Sequence, residues 1–286
     1  MNFKERDTWL KIASCKSISA KKRAVIWQKV STFGCFEMSI EQIVNLFFSS
    51  DKKEQINMEL EEADVYTTED AEIICILDDN YPELLKEIYE APPLLFCKGN
   101  TALLKKQAMA MVGTRRMSEY GRKACAMIAG ELAELKLTIV SGLALGIDAE
   151  AHKASLRKKG GTIAVLGSGV SNIYPRSNEF LANEIIEHGF LISEYLPNQE
   201  ARRWHFPERN RIISGLALGT VIIEAAERSG SLITADYALE QNRQVFAVPG
   251  NIFTDTSRGT NHLIQEGAKL VTNANNIIEE FFQIKP

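Results

Sequence analysis

Three short segments of the chain combine glycine with serine, threonine or arginine, and each follows an apolar run, the third after five intervening residues. They are Gly113–Ser118, Ser141–Asp148 and Ser229–Thr234. Glycine lets a backbone approach an anion closely, and a helix that begins after such a segment offers free amide hydrogens and a positive dipole end. The segments are candidate phosphate-binding loops. Ser118 and Ser231 would also cap helices in the absence of any ligand, so simple capping is the alternative interpretation.

The number of such loops bears on the kind of ligand. A mononucleotide needs one phosphate loop, whereas loops after several neighbouring strands cover a track of roughly 10–15 Å, because adjacent strands lie about 4.8 Å apart. A linear polyanion fits such a track better than a compact ligand does. Single-stranded nucleic acid combines spaced phosphates with unstacked bases, and the pattern therefore favours it.

Two further segments place aromatic residues beside cations: Tyr174–Ser177 and Arg202–Arg211. Stacking of a base on an aromatic ring contributes about 1–3 kcal/mol, so these segments fit the same ligand. Core packing of Trp204 and Phe206 is the alternative, as is an ion pair between Arg211 and an acid such as Glu224.

Motifs of several enzyme classes are missing from the sequence. It contains no GxxxxGK[ST] phosphate loop and no paired acidic cluster for two metals. Gly167 and Gly169 are not followed by the third glycine that a dinucleotide-binding motif requires. Asp148 and His152 are spaced for one helical face, which is more typical of a capping contact than of a catalytic dyad. The five cysteines are scattered, which argues against a disulfide framework or a zinc site. The sequence indicates a protein without catalytic residues, metal or cofactor.

The composition is that of a globular protein, with 45% hydrophobic and 24% charged residues among 286. This length predicts about two domains. No apolar run is long enough to span a membrane, and the N-terminus lacks an apolar signal core. We therefore expect a cytoplasmic protein that does not contact a membrane. The net charge of −4 argues only weakly against a polyanionic ligand, because the arginines are clustered locally.

The spacing of apolar residues divides the chain into three regions. Residues 1–65 show helical spacing only and predict a small helical domain. Residues 66–107 contain a strand-like run, Ile73–Leu77, and predict a connector that adds to the next domain. Residues 108–286 alternate apolar runs with amphipathic segments such as Ser118–Leu135, which predicts an α/β, Rossmann-like, doubly wound and mostly parallel sheet. The predicted strands are Ala108–Val112, Leu137–Val140, Thr162–Leu166, Phe190–Ser193, Thr220–Ile223, Gln244–Val248 and Lys269–Val271.

From Ile76 to Phe281 the sequence resembles the DNA-processing protein A family, also called Smf. Seven segments in the same order carry the resemblance. They are Leu77–Pro82, Met111–Arg115, Val140–Asp148, His205–Leu216, Ser229–Ala235, Val248–Gly250 and Ile264–Ala268.

The resemblance implies an extended Rossmann fold that binds single-stranded DNA without sequence preference. It also implies protection of incoming DNA in natural transformation, loading of the RecA recombinase, and a homodimer. Arg115 matches the family's DNA-contacting arginine, and Arg176 stands where relatives commonly carry lysine. The N-terminal helices resemble a sterile-alpha-motif-like domain, and the winged-helix domain that ends some members is expected to be missing.

The loops and the resemblance together give a set of candidate DNA-binding residues. They are Gly113, Thr114, Arg115, Ser141, Gly142, Ala144, Gly146, Asp148, Arg176, Arg209, Asn210, Arg211, Ser229, Gly230, Ser231 and Thr234. Leu263, Ile264 and Leu270 are candidates for the dimer and RecA surface, with burial in their own domain as the alternative. A second functional hypothesis is a nucleotide-processing enzyme of the phosphoribohydrolase type, because Ser229–Glu240 is faintly similar to the loop and helix of such enzymes.

Overall fold

The computed structural model describes residues 3–15, 17–34, 38–61 and 71–281. The expected boundary between the helical region and the connector, at residues 65 and 66, lies outside the described residues, as do residues 282–286. Four helices form the described N-terminal part. They are α1 (Phe3–Ser14), α2 (Ala20–Thr32), α3 (Ile40–Phe47) and α4 (Ser50–Glu61).

Side-chain caps and aromatic packing explain why these helices begin and meet where they do. Ser19 caps α2 by accepting from Lys22 N. Ser39 and Gln42 form a reciprocal capping box at the start of α3. The rings of Trp9 and Trp27 pack edge to face with their centroids 5.2 Å apart, which joins α1 to α2.

Residues 71–281 form one nine-stranded sheet with helices on both faces. The strands are β1 (Glu72–Cys75), β2 (Leu94–Gly99), β3 (Ala108–Val112), β4 (Thr138–Ser141), β5 (Thr162–Val165), β6 (Phe190–Ser193), β7 (Gly219–Ile222), β8 (Gln244–Ala247) and β9 (Lys269–Leu270). The remaining α-helices are α5 (Glu83–Lys86), α6 (Glu119–Glu134), α7 (Ile147–Arg157), α8 (Glu179–His188), α9 (His205–Gly215), α10 (Gly230–Glu240), α11 (Asp255–Gln265) and α12 (Asn275–Phe281), and two short 3-10 helices span Thr101–Lys105 and Arg176–Asn178.

The strand order in the sheet is β1-β2-β6-β5-β4-β3-β7-β8-β9. Strands β3 to β9 pair in parallel, whereas β2 is antiparallel to both β1 and β6. The chain proceeds outward from β3 through β4 to β6, then returns to β7 on the other side. Such a reversal of strand order opens a crevice at the carboxyl ends of the strands, and here it lies between β3 and β7.

Two apolar cores lie on opposite faces of the sheet, which confirms the predicted α/β, Rossmann-like fold. One core packs α6, α7 and α12 against the inner strands. The other contains residues of α8, α9 and α10 and continues into the N-terminal helices, where Ile12 and Ile26 belong to the same cluster as Leu95 of β2. The N-terminal helices therefore pack directly on the sheet domain. In the described ranges, no helix has the length and apolar character needed to cross a membrane.

A buried arginine connects the helical region to the sheet. The guanidinium of Arg23 donates to the carbonyls of Ala13 and Ile18, each at 3.2 Å, and to the carbonyl of Glu194 at 3.0 Å. The Glu194 carboxylate in turn accepts from both terminal nitrogens of Arg211 on α9, at 3.0 and 2.7 Å. All three charged side chains are buried, so one continuous network joins α2, the end of β6 and α9.

Candidate nucleic-acid interface

The loop after β3 is held rigidly while its arginines remain exposed. Thr114 N donates to the Glu224 carbonyl at 2.8 Å, and Arg116 N donates to Thr114 Oγ1 at 3.2 Å. Ser118 caps α6 by accepting from Gly121 N, and its Oγ donates to the Glu224 carboxylate at 2.6 Å. The side chains of Arg115 and Arg116 are exposed to solvent and are therefore available to an anionic ligand.

The loop after β4 packs closely against the loop after β3. Gly146 has φ of +77°, and a Cβ added there would lie 2.3 Å from the Thr114 carbonyl oxygen. Ser141 is buried, and its Oγ donates to the Met111 carbonyl at 2.6 Å. These two residues serve the packing of the loops, and they do not line the cavity described below.

The buried side chain of Arg209 on α9 forms hydrogen bonds with the carboxyl ends of β4 and β5. Its Nη1 donates to the Gly142 carbonyl at 2.7 Å and to the Val165 carbonyl. A Cβ on Gly142 would lie 2.4 Å from that nitrogen, so glycine is required for the arginine to approach. Burial lowers the pKa of Arg209 to about 10 even though Asp148 opposes the shift. Burial raises the pKa of Asp148, against the effect of Arg209, and this carboxylate accepts from Gly142 N at 3.1 Å.

His152, one turn after Asp148 on α7, does not share a hydrogen bond with it. The Nδ1 atom of His152 lies 2.7 Å from Thr162 Oγ1, and the ring is fully buried. Burial and the nearby Arg209 charge lower the pKa of His152 to about 3. The residue is a neutral core histidine, and its position agrees with a structural role rather than a catalytic dyad.

The third predicted loop begins α10 opposite α9. Ser229 caps α10 by accepting from Ser231 N, and the Oγ atoms of Ser229 and Ser231 are 2.7 Å apart. Asn210 Nδ2 donates to the Gly230 carbonyl at 3.3 Å and so connects α9 to this loop. A Cβ on Gly230 would meet nothing within 4 Å, which leaves open space above the start of the helix.

A cavity of about 650 Å³ lies where these loops meet, at the crevice between β3 and β7. We call it the central cavity. It is lined by eleven of the candidate residues, namely Gly113, Thr114, Arg115, Ala144, Asp148, Arg209, Asn210, Ser229, Gly230, Ser231 and Thr234. The structure therefore brings together residues from all three predicted loops and from the basic segment of α9.

Five candidates lie elsewhere. Three of them, Ser141, Gly142 and Gly146, serve the packing of the loops and do not line the cavity. Arg176 is exposed but is also outside the lining. Arg211 is buried in the ion pair with Glu194 and does not line the central cavity. The suggested pairing of Arg211 with Glu224 is wrong. Glu224 instead accepts from Ser118 and Thr256.

The lining also includes residues that are not among the candidates. Aromatic and cationic members are Arg116, Arg203, Tyr174 and Phe206, accompanied by Val112, Pro207 and Ile233. The ring of Phe206 has the Arg115 guanidinium 5.6 Å from its centroid and the Tyr174 ring centroid at 5.4 Å. The aromatic and basic composition of both segments is visible in the sequence, but it does not tell which of their residues face the cavity. Trp204 is exposed, not part of the core.

The three apolar candidates for the dimer surface differ in exposure. Leu263 is buried in the core, as the alternative interpretation proposes, and Ile264 packs partly against it. Leu270 on the edge strand β9 is 46% exposed. In the described part of the chain, no group of three histidine, cysteine or acidic side chains is placed to hold a metal ion.

The fold and the site define a class: an α/β protein with a basic, aromatic-lined crevice at the topological switch of its sheet. The model of the family described as DNA recombination-mediator protein A matches residues 72–282. The chain therefore belongs to the DNA recombination-mediator protein A family, which confirms the predicted resemblance.

Relatives and solved structures agree with this assignment. DNA processing protein DprA of Streptococcus pneumoniae is 50% identical over 206 residues, covering 72% of this chain and 73% of the relative. The Bacillus subtilis protein of the same name is 45% identical over 216 residues, or 75% and 73% of the two chains. The X-ray structure of the S. pneumoniae protein superposes with a TM-score of 0.86 at 39% identity, covering 95% and 96% of the two chains. A structure concerning the single-stranded DNA binding mode of DNA processing protein A from Helicobacter pylori gives a TM-score of 0.67 at 31% identity, covering 74% and 97%.

Proposed function

We propose that this protein binds unpaired DNA in the central cavity. One observation carries the proposal. Exposed arginines, aromatic rings and the N-terminal end of α10 meet in one crevice, and loops after several strands form that crevice. Arginines neutralise phosphates, and rings such as Tyr174 and Phe206 stack with bases irrespective of sequence. The H. pylori relative whose structure concerns single-stranded DNA binding supports the same ligand.

The proposed role is that of a non-enzymatic mediator without a cofactor. It covers incoming single strands in natural transformation, protects them, and passes them to the RecA recombinase in the cytoplasm. Membership of a family described as recombination mediators supports this role. We also propose a homodimer that uses the face around Leu270, the exposed member of the three apolar candidates.

A binding experiment tests the proposal directly. Fluorescence anisotropy with labelled single-stranded and duplex oligonucleotides should show single-strand binding that weakens steeply as salt increases, because bound phosphates release counterions. The same strands then serve in a RecA nucleation assay with and without the protein, where the protein should accelerate nucleation. No single-strand binding at low salt would overturn the proposal, and release of free base from nucleoside monophosphates would favour the phosphoribohydrolase alternative.

A further inference from the structure

A second cavity, of about 640 Å³, lies on the other side of the loop that follows β3. We call it the lateral cavity. The first half of that loop, including Arg115 and Arg116, lines the central cavity, whereas Ser118 and Tyr120 line the lateral one. Its far wall is formed by Pro249, Gly250, Asn251 and Thr254 of the segment after β8, whereas Ile252 and Phe253 of that segment lie outside the lining. The two cavities thus follow one another along the same sheet edge, one or two strand spacings apart, or about 5–10 Å.

The wall of the lateral cavity is held in place by hydrogen bonds from α11, from Tyr120 and within the segment itself. Asn261 of α11 donates to the Gly250 carbonyl at 3.0 Å and accepts from Gly250 N at 3.1 Å. Tyr120 Oη donates to the Pro249 carbonyl at 2.6 Å. Asn251 Oδ1 accepts from Phe253 N at 2.9 Å. The segment is therefore organised before any ligand binds.

This rigid segment exposes large apolar side chains to water. Phe253 is 88% exposed and Ile252 is 73% exposed, and the Tyr120 ring on the opposite wall is half exposed. Exposed rings on a fixed backbone lose little conformational freedom when they are covered. They are therefore suited to stack against a flat aromatic ligand such as a nucleobase.

The charges around the lateral cavity select which part of a nucleotide would enter. Glu119 and Glu224 line it, and carboxylates repel phosphate, so the phosphate of a nucleotide would lie outside this cavity. Arg116 is exposed on the loop between the two cavities, where a connecting phosphate would lie. The lateral cavity thus suits a base, and the central cavity, with its arginines, suits backbone as well.

We propose that the lateral cavity is a second subsite for the same DNA strand and takes an unpaired base that stacks on Tyr120, with the exposed Phe253, next to the lining residue Thr254, as the stacking ring for the adjoining base. This inference rests on the proposed single-strand binding at the central cavity. It predicts that a strand long enough to reach from one cavity to the other binds more tightly than a strand confined to the central cavity.

The test compares oligonucleotides of about 6 and about 15 nucleotides, within or near the range of single-strand site sizes. Replacing Phe253→Ala should weaken binding of the longer strand about 5- to 150-fold, the range expected for loss of one stacked base, and leave the shorter strand unchanged. Phe253→Tyr retains a ring and should behave as the wild type. 2-Aminopurine placed near either end of the long strand should lose fluorescence on binding to the wild type, and recover it in Phe253→Ala.

Tyr120 provides a second, independent pair of variants. Tyr120→Phe removes the hydrogen bond to Pro249 but retains the ring, whereas Tyr120→Ala removes both. Weakened binding of the long strand in Tyr120→Ala alone supports stacking. Wild-type affinity for the long strand in both Phe253→Ala and Tyr120→Ala overturns the inference. So does unchanged DNA binding combined with slower RecA nucleation, which would make the segment a protein contact. If the wild type binds neither strand, the proposed function itself fails.

Discussion

At the scale of single residues, exposure separates the arginines of the site into two groups. The exposed group at the central cavity is Arg115, Arg116 and Arg203. The other two arginines are buried: Arg209 donates to carbonyls, and Arg211 donates to a carboxylate. The exposed group can contact a ligand directly. The buried group holds the strand ends and α9 in position, so changes there affect folding before they affect binding.

Replacing Arg115→Ala should weaken binding of single strands about tenfold, because a charge-assisted contact to phosphate is lost. The loss should be similar for all base sequences, and the salt dependence should fall by about 0.7 in log–log slope. Anisotropy titrations at several salt concentrations measure both quantities. Lys158→Ala removes a cation from an exposed surface pair with Glu134 and serves as the matched control. Equal affinities of Arg115→Ala and this control would contradict the prediction.

His152 should make the protein less stable in mild acid. Its pKa in the folded state is about 3, below the usual value of 6.5. The unfolded chain therefore takes up a proton as the pH falls through about 6.5, and the folded protein does not. Stability should decrease as the pH falls from 7 to 5, by up to about 1.4 kcal/mol per unit.

Urea unfolding at several pH values tests this, with His152→Gln expected to reduce the slope. The pKa of His205 is also lowered, mainly by burial, so part of the slope should persist. His262→Gln changes an exposed histidine and is the control. A His152→Gln slope identical to that of the wild type would show that the residue is not responsible.

At the scale of elements, apolar runs located the strands because strands covered on both faces need apolar residues throughout. Ala108–Val112 and Phe190–Ser193 coincide with β3 and β6. Pro82 suits the first turn of a helix and predicts one that continues to about Tyr89, but α5 is shorter and ends at Lys86. The antiparallel pairing of β2 was not predicted, because strand direction depends on the path of the chain rather than on composition.

The same limit applies to the site. The loops of the central cavity could be predicted from glycine and hydroxyl residues after apolar runs. The burial of Arg209 and Arg211 could not be predicted, because a run of basic residues does not reveal which of them bond to buried acceptors. The acceptors of Arg211 and of Arg209 belong to Glu194 and Gly142, which are distant in sequence and become neighbours only through the fold.

Arg23 should stabilise the contact between the N-terminal helices and the sheet. Arg23→Met leaves three buried carbonyls without this donor and should lower the free energy of unfolding by about 3 kcal/mol. Urea denaturation measures the change. Lys21→Met alters an exposed side chain of the same helix and should stay within about 0.5 kcal/mol of the wild type. An Arg23→Met protein as stable as Lys21→Met would refute this role.

At the scale of the whole molecule, β9 leaves one edge of the sheet uncovered by another strand in the described residues. Leu270→Glu places a charge on this exposed edge and should convert the proposed dimer to a monomer. Light scattering after size-exclusion chromatography should give twice the chain mass of 31.9 kDa for the wild type and the mass of a single chain for Leu270→Glu. Leu239→Glu changes an exposed leucine on α10 and should leave the mass unchanged. A Leu270→Glu dimer would place the interface elsewhere.

The outward winding of the chain from β3, first to one side and then to the other, has a practical consequence. A cut between α9 and β7 would separate Arg115 and Phe206 from Ser229 and Thr234, so each fragment would carry only part of the cavity lining. Ligand capture would then report on reassembly of the two fragments, which makes this connection a natural place to divide the protein for a complementation sensor.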